Sequence, residues 1–141
     1  MKAKYALRAM SELARAGDQR VQAHELAVRC RAPGKFLETI LVDLRSAGFV
    51  DSRRGQRGGH LLARPAEDIM IGDLIRAIDG PLAPVRCASV SAYQPCRDCL
   101  DPEICALRRL MRESRDALSS VLDQRSLREF AIADAPPAAP H

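Results

Sequence analysis

Four cysteines stand within nineteen residues, Cys87, Cys96, Cys99 and Cys105, in the order C-ASVSAYQP-C-RD-C-LDPEI-C. Clustered thiols outside a disulfide framework serve metal binding or redox exchange, because the thiolate is both a soft ligand and a nucleophile. The chain has five cysteines, an odd number, which argues against a closed disulfide framework. Four thiolates suit a closed tetrahedral zinc site, although the single C-x2-C is not the paired knuckle of a zinc ribbon. Cys96-Arg97-Asp98-Cys99 also suits thiol–disulfide exchange, without the strand–helix context of a thioredoxin fold. A loop of unliganded thiols is the remaining reading. The fifth thiol, Cys30, falls on the inner face of a short helix and reads as a small core residue. His24 and His60 stand alone, His141 lies in the tail, and none reads as a metal ligand.

The elements on either side must position this loop. Upstream, Glu67 to Asp79 predicts a helix with Ile71, Leu74, Ile75 and Ile78 inward, ended by Gly80-Pro81. Downstream, Asp101 can cap a helix, Pro102 suits its first position and Glu103 favours the positive end. Ile104, Leu107, Met111, Ser114, Leu118 and Val121 then step by 3, 4, 3, 4, 3. That is a heptad seam with one polar position. One such helix cannot bury the stripe alone, so the seam predicts a two-fold pairing of chains. Residues 125–133 predict a last short helix.

The first half predicts helices over 3–16, 23–30 and 34–47. Tyr5, Ala6, Ala9, Met10 and Leu13 face inward on the first, Leu26, Ala27 and Cys30 on the second, and Phe36, Leu37, Ile40, Leu41 and Leu44 on the third. Gly48 suits a left-handed cap. Two short strands, 49–52 and 60–63, flank the arginine-studded turn Arg53-Arg54-Gly55-Gln56-Arg57-Gly58-Gly59. Helix, helix–turn–helix and two-stranded ribbon is the winged-helix order. In that arrangement the second helix of the helix–turn–helix enters the major groove, where its first turns offer Lys35, Glu38 and Thr39 to bases and phosphates. The wing offers Arg53, Arg54, Arg57 and His60, with Gly58 and Gly59 allowing a close backbone approach to DNA. A solvated hairpin is the plain alternative for such a charge run. A phosphate-binding P-loop does not fit, since G-x-x-x-x-G-K-[ST] is absent.

Charge partition agrees with this division. Residues 1–64 carry a net +7 and residues 65–141 a net −3, which points to one polyanion-binding part. Aromatics are 4% of the chain with no Trp, so the core must be aliphatic. The sequence has no membrane-spanning apolar run and no apolar signal core at MKAKYALRAM, which predicts a cytoplasmic protein without a membrane partner. No Ser/His/Asp or paired-carboxylate pattern suggests an enzyme.

Four stretches together resemble a known family. They are KAKYALRAM, the block from Phe36-Leu37-Glu38 through Leu44-Arg45-Ser46-Ala47-Gly48-Phe49-Val50, SRRGQRGGHLLARP and IGDLIRAIDGPL. They resemble the Rrf-two type (IscR/NsrR/CymR-like) of bacterial winged-helix regulators, over about Lys2 to Phe130. The resemblance implies a homodimer on a palindromic operator in double-stranded DNA, joined by a long dimerisation helix, here 102–123. It also implies an iron–sulfur cluster, [2Fe-2S] or [4Fe-4S], held by three cysteines before that helix. Relatives with a cluster show C-x5-C-x5-C. Cys99 and Cys105 match its last two positions, while Cys96 and Cys87 compete for the first. Relatives that add a histidine after the last cysteine, or a carboxylate before the first-helix tyrosine, have their counterparts here at Arg108 and Lys4.

The expected fold is mainly α: a winged helix-turn-helix with a two-stranded β wing and a long C-terminal dimerisation helix. The expected organisation is a DNA-binding domain at 1–65, then a linking helix, cysteine loop and dimerisation helix at 66–133, and a disordered tail at 134–141. The expected function is a homodimeric DNA-binding transcriptional regulator, a repressor, sensing iron–sulfur, redox or nitrosative state through Cys96, Cys99, Cys105 and Cys87. The rival is a small zinc- or thiol-based redox or structural protein whose basic face is incidental.

Overall fold

The computed structural model describes residues 2–84, 86–90, 92–98 and 101–134. Three helices open the chain: α1 (Lys2–Ala16), α2 (Ala23–Cys30) and α3 (Gly34–Ser46). Their apolar positions recur at helical spacing, so each buries one stripe against the others. Met10 and Leu13 of α1, Leu26 of α2 and Leu37, Ile40 and Leu44 of α3 are all fully buried. Burying one such side chain contributes about 1.5–3 kcal/mol. Arg31 takes a left-handed conformation (φ 53°) after α2, and its N–H donates back to Val28 O at 3.2 Å. That closes the tight turn into α3.

Strands β1 (Val50–Arg53) and β2 (Gly59–Leu62) pair antiparallel, with Val50 opposite Leu62 and Arg53 opposite Gly59. Each is shifted by one residue from the sequence expectation. Val21 adds an isolated bridge to His60 through two backbone hydrogen bonds of 2.9 and 2.8 Å. The wing is thereby pinned to the segment between α1 and α2.

The fourth helix is shorter than its periodicity predicts. Residues Ala66–Asp68 form a 3-10 turn, and α4 begins only at Ile71 and ends at Asp79. Tertiary pairing sets the break. Met70 bridges Ser126, Leu127 N donates to Ile69 O at 2.7 Å, and Ile71 N donates to Arg125 O at 2.8 Å. A backbone committed to a partner segment at 69–71 cannot also continue a helix.

The helix expected to pair the chains also starts later. α5 spans Ala106–Leu122, not 102–123, and Cys105 is its extended N-terminal flanking residue. Asp101 instead closes a local turn, its carboxylate accepting from Glu103 N at 2.9 Å. A last helix, α6 (Leu127–Ala133), packs back on α1. Ser126 caps it by accepting from Glu129 N at 3.1 Å. Leu127, Ile69, Ile71 and Leu74 share one core with α1–α3. The tail expected from residue 134 lies outside the described residues beyond Asp134.

Candidate nucleic-acid interface and cysteine loop

The buried stripe of α3 leaves Lys35, Glu38 and Thr39 exposed on its outer face. The Thr39 hydroxyl donates to Lys35 O at 3.2 Å, which leaves both oxygen lone pairs as acceptors. Phe36 anchors the same helix by an edge-on contact with Tyr5, ring centroids 5.5 Å apart. On the wing, Arg53, Arg54 and Arg57 are exposed. The cations named from the sequence therefore all reach solvent.

Gly58, Gly59 and His60 are placed differently: they shape the wing from within. Gly58 and Gly59 are buried. A Cβ on Gly58 would lie 2.2 Å from Arg53 O, and one on Gly59 (φ +122°) would lie 2.8 Å from Val21 O. Only glycine permits both approaches. His60 is half-buried, with Nδ1 2.7 Å from Ser52 Oγ. Burial, with Arg20 and Arg45 nearby, holds its pKa below the usual histidine value, which favours the neutral ring.

Two further residues hold the wing, and sequence reasoning missed both. The Gln22 amide donates to Gly55 O, Gln56 O and Gly58 O at 3.2, 3.4 and 3.1 Å. Arg20 donates to Gly59 O at 3.2 Å and to the Asp51 carboxylate. That hydrogen bond keeps Asp51 below the usual carboxylate range. The signal for both was their place between a turn and a helix start, which carries no period.

Of the cysteines, Cys30 is buried in the helical core, and burial reinforced by Glu12 pushes its thiol up to about 11. Cys87 lies in the 3-10 turn Arg86–Ala88 and is 4% exposed. Cys96 is exposed, and its thiol donates towards Cys87 Sγ at 3.7 Å. Cys105 is partly buried at the head of α5. Cys99 lies outside the described residues. Among the described residues no group of three His, Cys, Asp or Glu is arranged to hold a metal ion.

The loop is tied to α5 by Arg108. Its Nε donates to Cys87 O at 2.9 Å, its guanidinium to Pro102 O at 3.2 Å, and it stacks over Tyr93 at 5.5 Å. Residue 108 is thus committed to holding the loop. At its other end α5 is fixed by a fork: Arg76 of α4 donates to both Asp123 oxygens at 2.7 and 2.8 Å. This lowers the Asp123 pKa, with Ser119 assisting. Gly72 makes room, since a Cβ there would lie 1.8 Å from Asp123 Oδ1. No described residue of α5 is buried. Leu107, Leu118 and Val121 are 55%, 44% and 55% exposed, as is Ile104 at 73% just before the helix. Among the described residues no helix is long and apolar enough to cross a membrane.

Comparison with known proteins agrees with this geometry. An rrf2-like HTH-type transcriptional regulator of Rhodobacter capsulatus is 43% identical, covering 97% of this chain and 94% of that protein. The solved structure of CymR, the global cysteine regulator of B. subtilis, superposes with a TM-score of 0.76 at 32% identity, covering 96% of each chain. That of T. potens IscR superposes with a TM-score of 0.75 at 25% identity, covering 100% of this chain and 90% of that one. Residues 1–132 match the model of the Rrf2 family, described as iron-dependent transcriptional regulators. A winged helix-turn-helix with this wing, this α4 and this length of match makes the chain a member of the Rrf2 family of DNA-binding transcriptional regulators.

Proposed function

We propose that this protein is a homodimeric cytoplasmic repressor that binds a palindromic operator and responds to iron–sulfur, redox or nitrosative state through the 87–105 loop. The observation that carries the reading is the placement of Lys35, Glu38 and Thr39 on one solvent face of α3, with Arg53, Arg54 and Arg57 exposed on the adjoining wing. Lys35 donates to guanine or phosphate, Glu38 accepts from cytosine, and the wing arginines enter the minor groove. The exposed seam of α5 pairs the two chains, which sets the spacing of two reading heads.

The Cys87–Cys96 distance bears on the metal. Two thiolates at about 2.3 Å from one tetrahedral ion lie about 3.7–3.8 Å apart. The observed 3.7 Å therefore fits two ligands of one iron or one zinc ion. Cys96, Cys99 and Cys105 would hold an iron–sulfur cluster, with Cys87 as the additional thiolate in place of a residue at 108. Bound there, the cluster would supply a centre sensitive to oxidants and nitric oxide. Zinc on the same thiolates is the second reading, favoured by the same distance.

Selection from a randomised duplex library tests the DNA reading, with an inverted repeat as the expected product. Fluorescence anisotropy on that duplex should show Arg54→Ala/Arg57→Ala weakening binding and lowering the salt slope by about 1 per arginine. Unchanged affinity and slope would refute the wing assignment. Protein purified without oxygen, assayed for iron, sulfide and zinc, tests the metal.

A further inference from the structure

We infer that Cys87 and Cys96 form a reversible intramolecular disulfide on exposure to a hydroperoxide, and that Arg108 carries the change to α5. The inference deepens the reading of this loop as the sensor by naming its thiol pair and its oxidant class. Three observations meet here. The two sulfurs are already in van der Waals contact at 3.7 Å. One thiol is exposed and the other buried, so an oxidant meets Cys96 first and Cys87 sits behind it. The intervening segment is closed on itself by hydrogen bonds next to both cysteines. Arg86 donates to the Gln94 side-chain oxygen at 2.6 Å, Gln94 N donates to Arg86 O at 3.3 Å, and Ala92 N donates to the buried Ser89 hydroxyl at 2.9 Å.

The chemistry balances in two steps. The Cys96 thiol sheds its proton, and the thiolate attacks the terminal oxygen of the hydroperoxide. The O–O bond breaks, giving a sulfenic acid on Cys96, while the departing oxygen takes up that proton and leaves as an alcohol, or as water from hydrogen peroxide. Cys87 sulfur then attacks Cys96 sulfur. The S–S bond forms, the S–O bond breaks, and the hydroxyl leaves as water with the Cys87 proton. Two thiol hydrogens and two electrons have passed to the peroxide. A disulfide needs the sulfurs at about 2.05 Å, so the pair must close by more than an ångström. The Cys87 carbonyl that moves with it is the one Arg108 holds from α5 at 2.9 Å. The disulfide also removes two thiolates from any metal, so the oxidised loop and a cluster using Cys87 or Cys96 exclude one another.

Trypsin provides a direct test, because Arg86, Arg97 and Arg108 bound two peptides. Residues 87–97 carry Cys87 and Cys96, and residues 98–108 carry Cys99 and Cys105. The full chain, reduced without oxygen and assayed for iron, is treated with hydrogen peroxide, alkylated and digested. Peptide 87–97 is expected to be lighter by two hydrogens, to escape alkylation and to recover both labels after dithiothreitol. In Cys87→Ser, Cys96 should stop at the sulfenic acid and be trapped by dimedone. In Cys96→Ser, residue 87 should stay alkylatable. Full alkylation of 87–97 after peroxide, or a cross-link between the two peptides, would overturn the pairing. Oxidised and reduced wild type should differ at least about tenfold in affinity for the library-selected duplex, and equal affinity would overturn the link to α5. Loss of DNA binding in both forms would instead refute the regulator reading, with the mass result unaffected.

Discussion

The proposed reading head and the cysteine loop differ in how their side chains are held. In the head, Lys35 projects from α3, whose other face sits in one aliphatic core with Leu37, Ile40 and Leu44 buried, while Arg54 stands on the wing turn that Gln22 and Arg20 hold. Displacing any one of these elements exposes several buried groups, so the face is fixed by many small contributions. Among its described residues the loop buries Cys87, Ala88 and Ser89, and it is tied to α5 through Arg108. A few hydrogen bonds of about 1 kcal/mol each leave such a segment free to adopt a second arrangement. Rigidity suits the match to base edges proposed for the head, and a loosely tied segment suits the change of state proposed for the loop.

That contrast can be broken from either side. The largest effect is expected on α5. Leu107→Glu with Leu118→Glu should give a monomer by size-exclusion chromatography and reduce operator affinity on the order of 10³-fold, to the non-specific level. Helical circular dichroism should persist, since neither residue is buried. Retained dimer would refute the seam. Next, Gly72→Ala forces a Cβ onto Asp123 and should cost about 2–3 kcal/mol by opening the Arg76 fork, read as a lower Tm. A wild-type Tm would mean the fork is not structural.

Thiol chemistry sharpens the comparison further. Cys30, with its pKa near 11, should resist iodoacetamide at neutral pH in the folded protein while Cys96 is labelled. Labelling of Cys30 at the rate of Cys96, followed by mass spectrometry, would contradict the core placement. The smallest effect concerns pH. The folded-state pKa of His60 lies below its unfolded value near 6.5, so the unfolded chain takes the proton more readily. The His60 contribution should be complete above about pH 6.5 and be lost as pH falls below it. His60→Gln should flatten the denaturation midpoint between pH 7 and pH 5, and an unchanged slope would count against the assignment.

Much of the head is legible in the amino-acid order. The expected stripes of α1, α2 and α3 lie on their buried faces, because helical faces are encoded at i, i+3 and i+4, although Tyr5 and Phe36 are only partly buried and α1 also buries Ala3 and Ser11. The arginine-rich turn between two short strands is legible for the same local reason. Where chain segments meet from far apart, period fails. The helix expected from residue 67 begins at Ile71 because 69–71 pairs with 125–127, and nothing in the local pattern announces that partner. The helix expected from Pro102 begins at Ala106, because Asp101 closes a turn on Glu103 instead of capping a longer helix.

By itself, the amino-acid order determined the winged-helix plan, the exposed basic face of α3 and the wing, the apolar seam of α5 and the family. The tertiary structure alone decided that Gln22 and Arg20 clasp the wing, that Gly72 admits the Arg76–Asp123 fork, and that Cys96 lies against Cys87. The physical reason is separation along the chain. Faces of a helix or strand repeat every few residues and can be read from type and spacing. Contacts across an aperiodic loop depend on how the whole chain closes, and only the folded molecule brings those groups together.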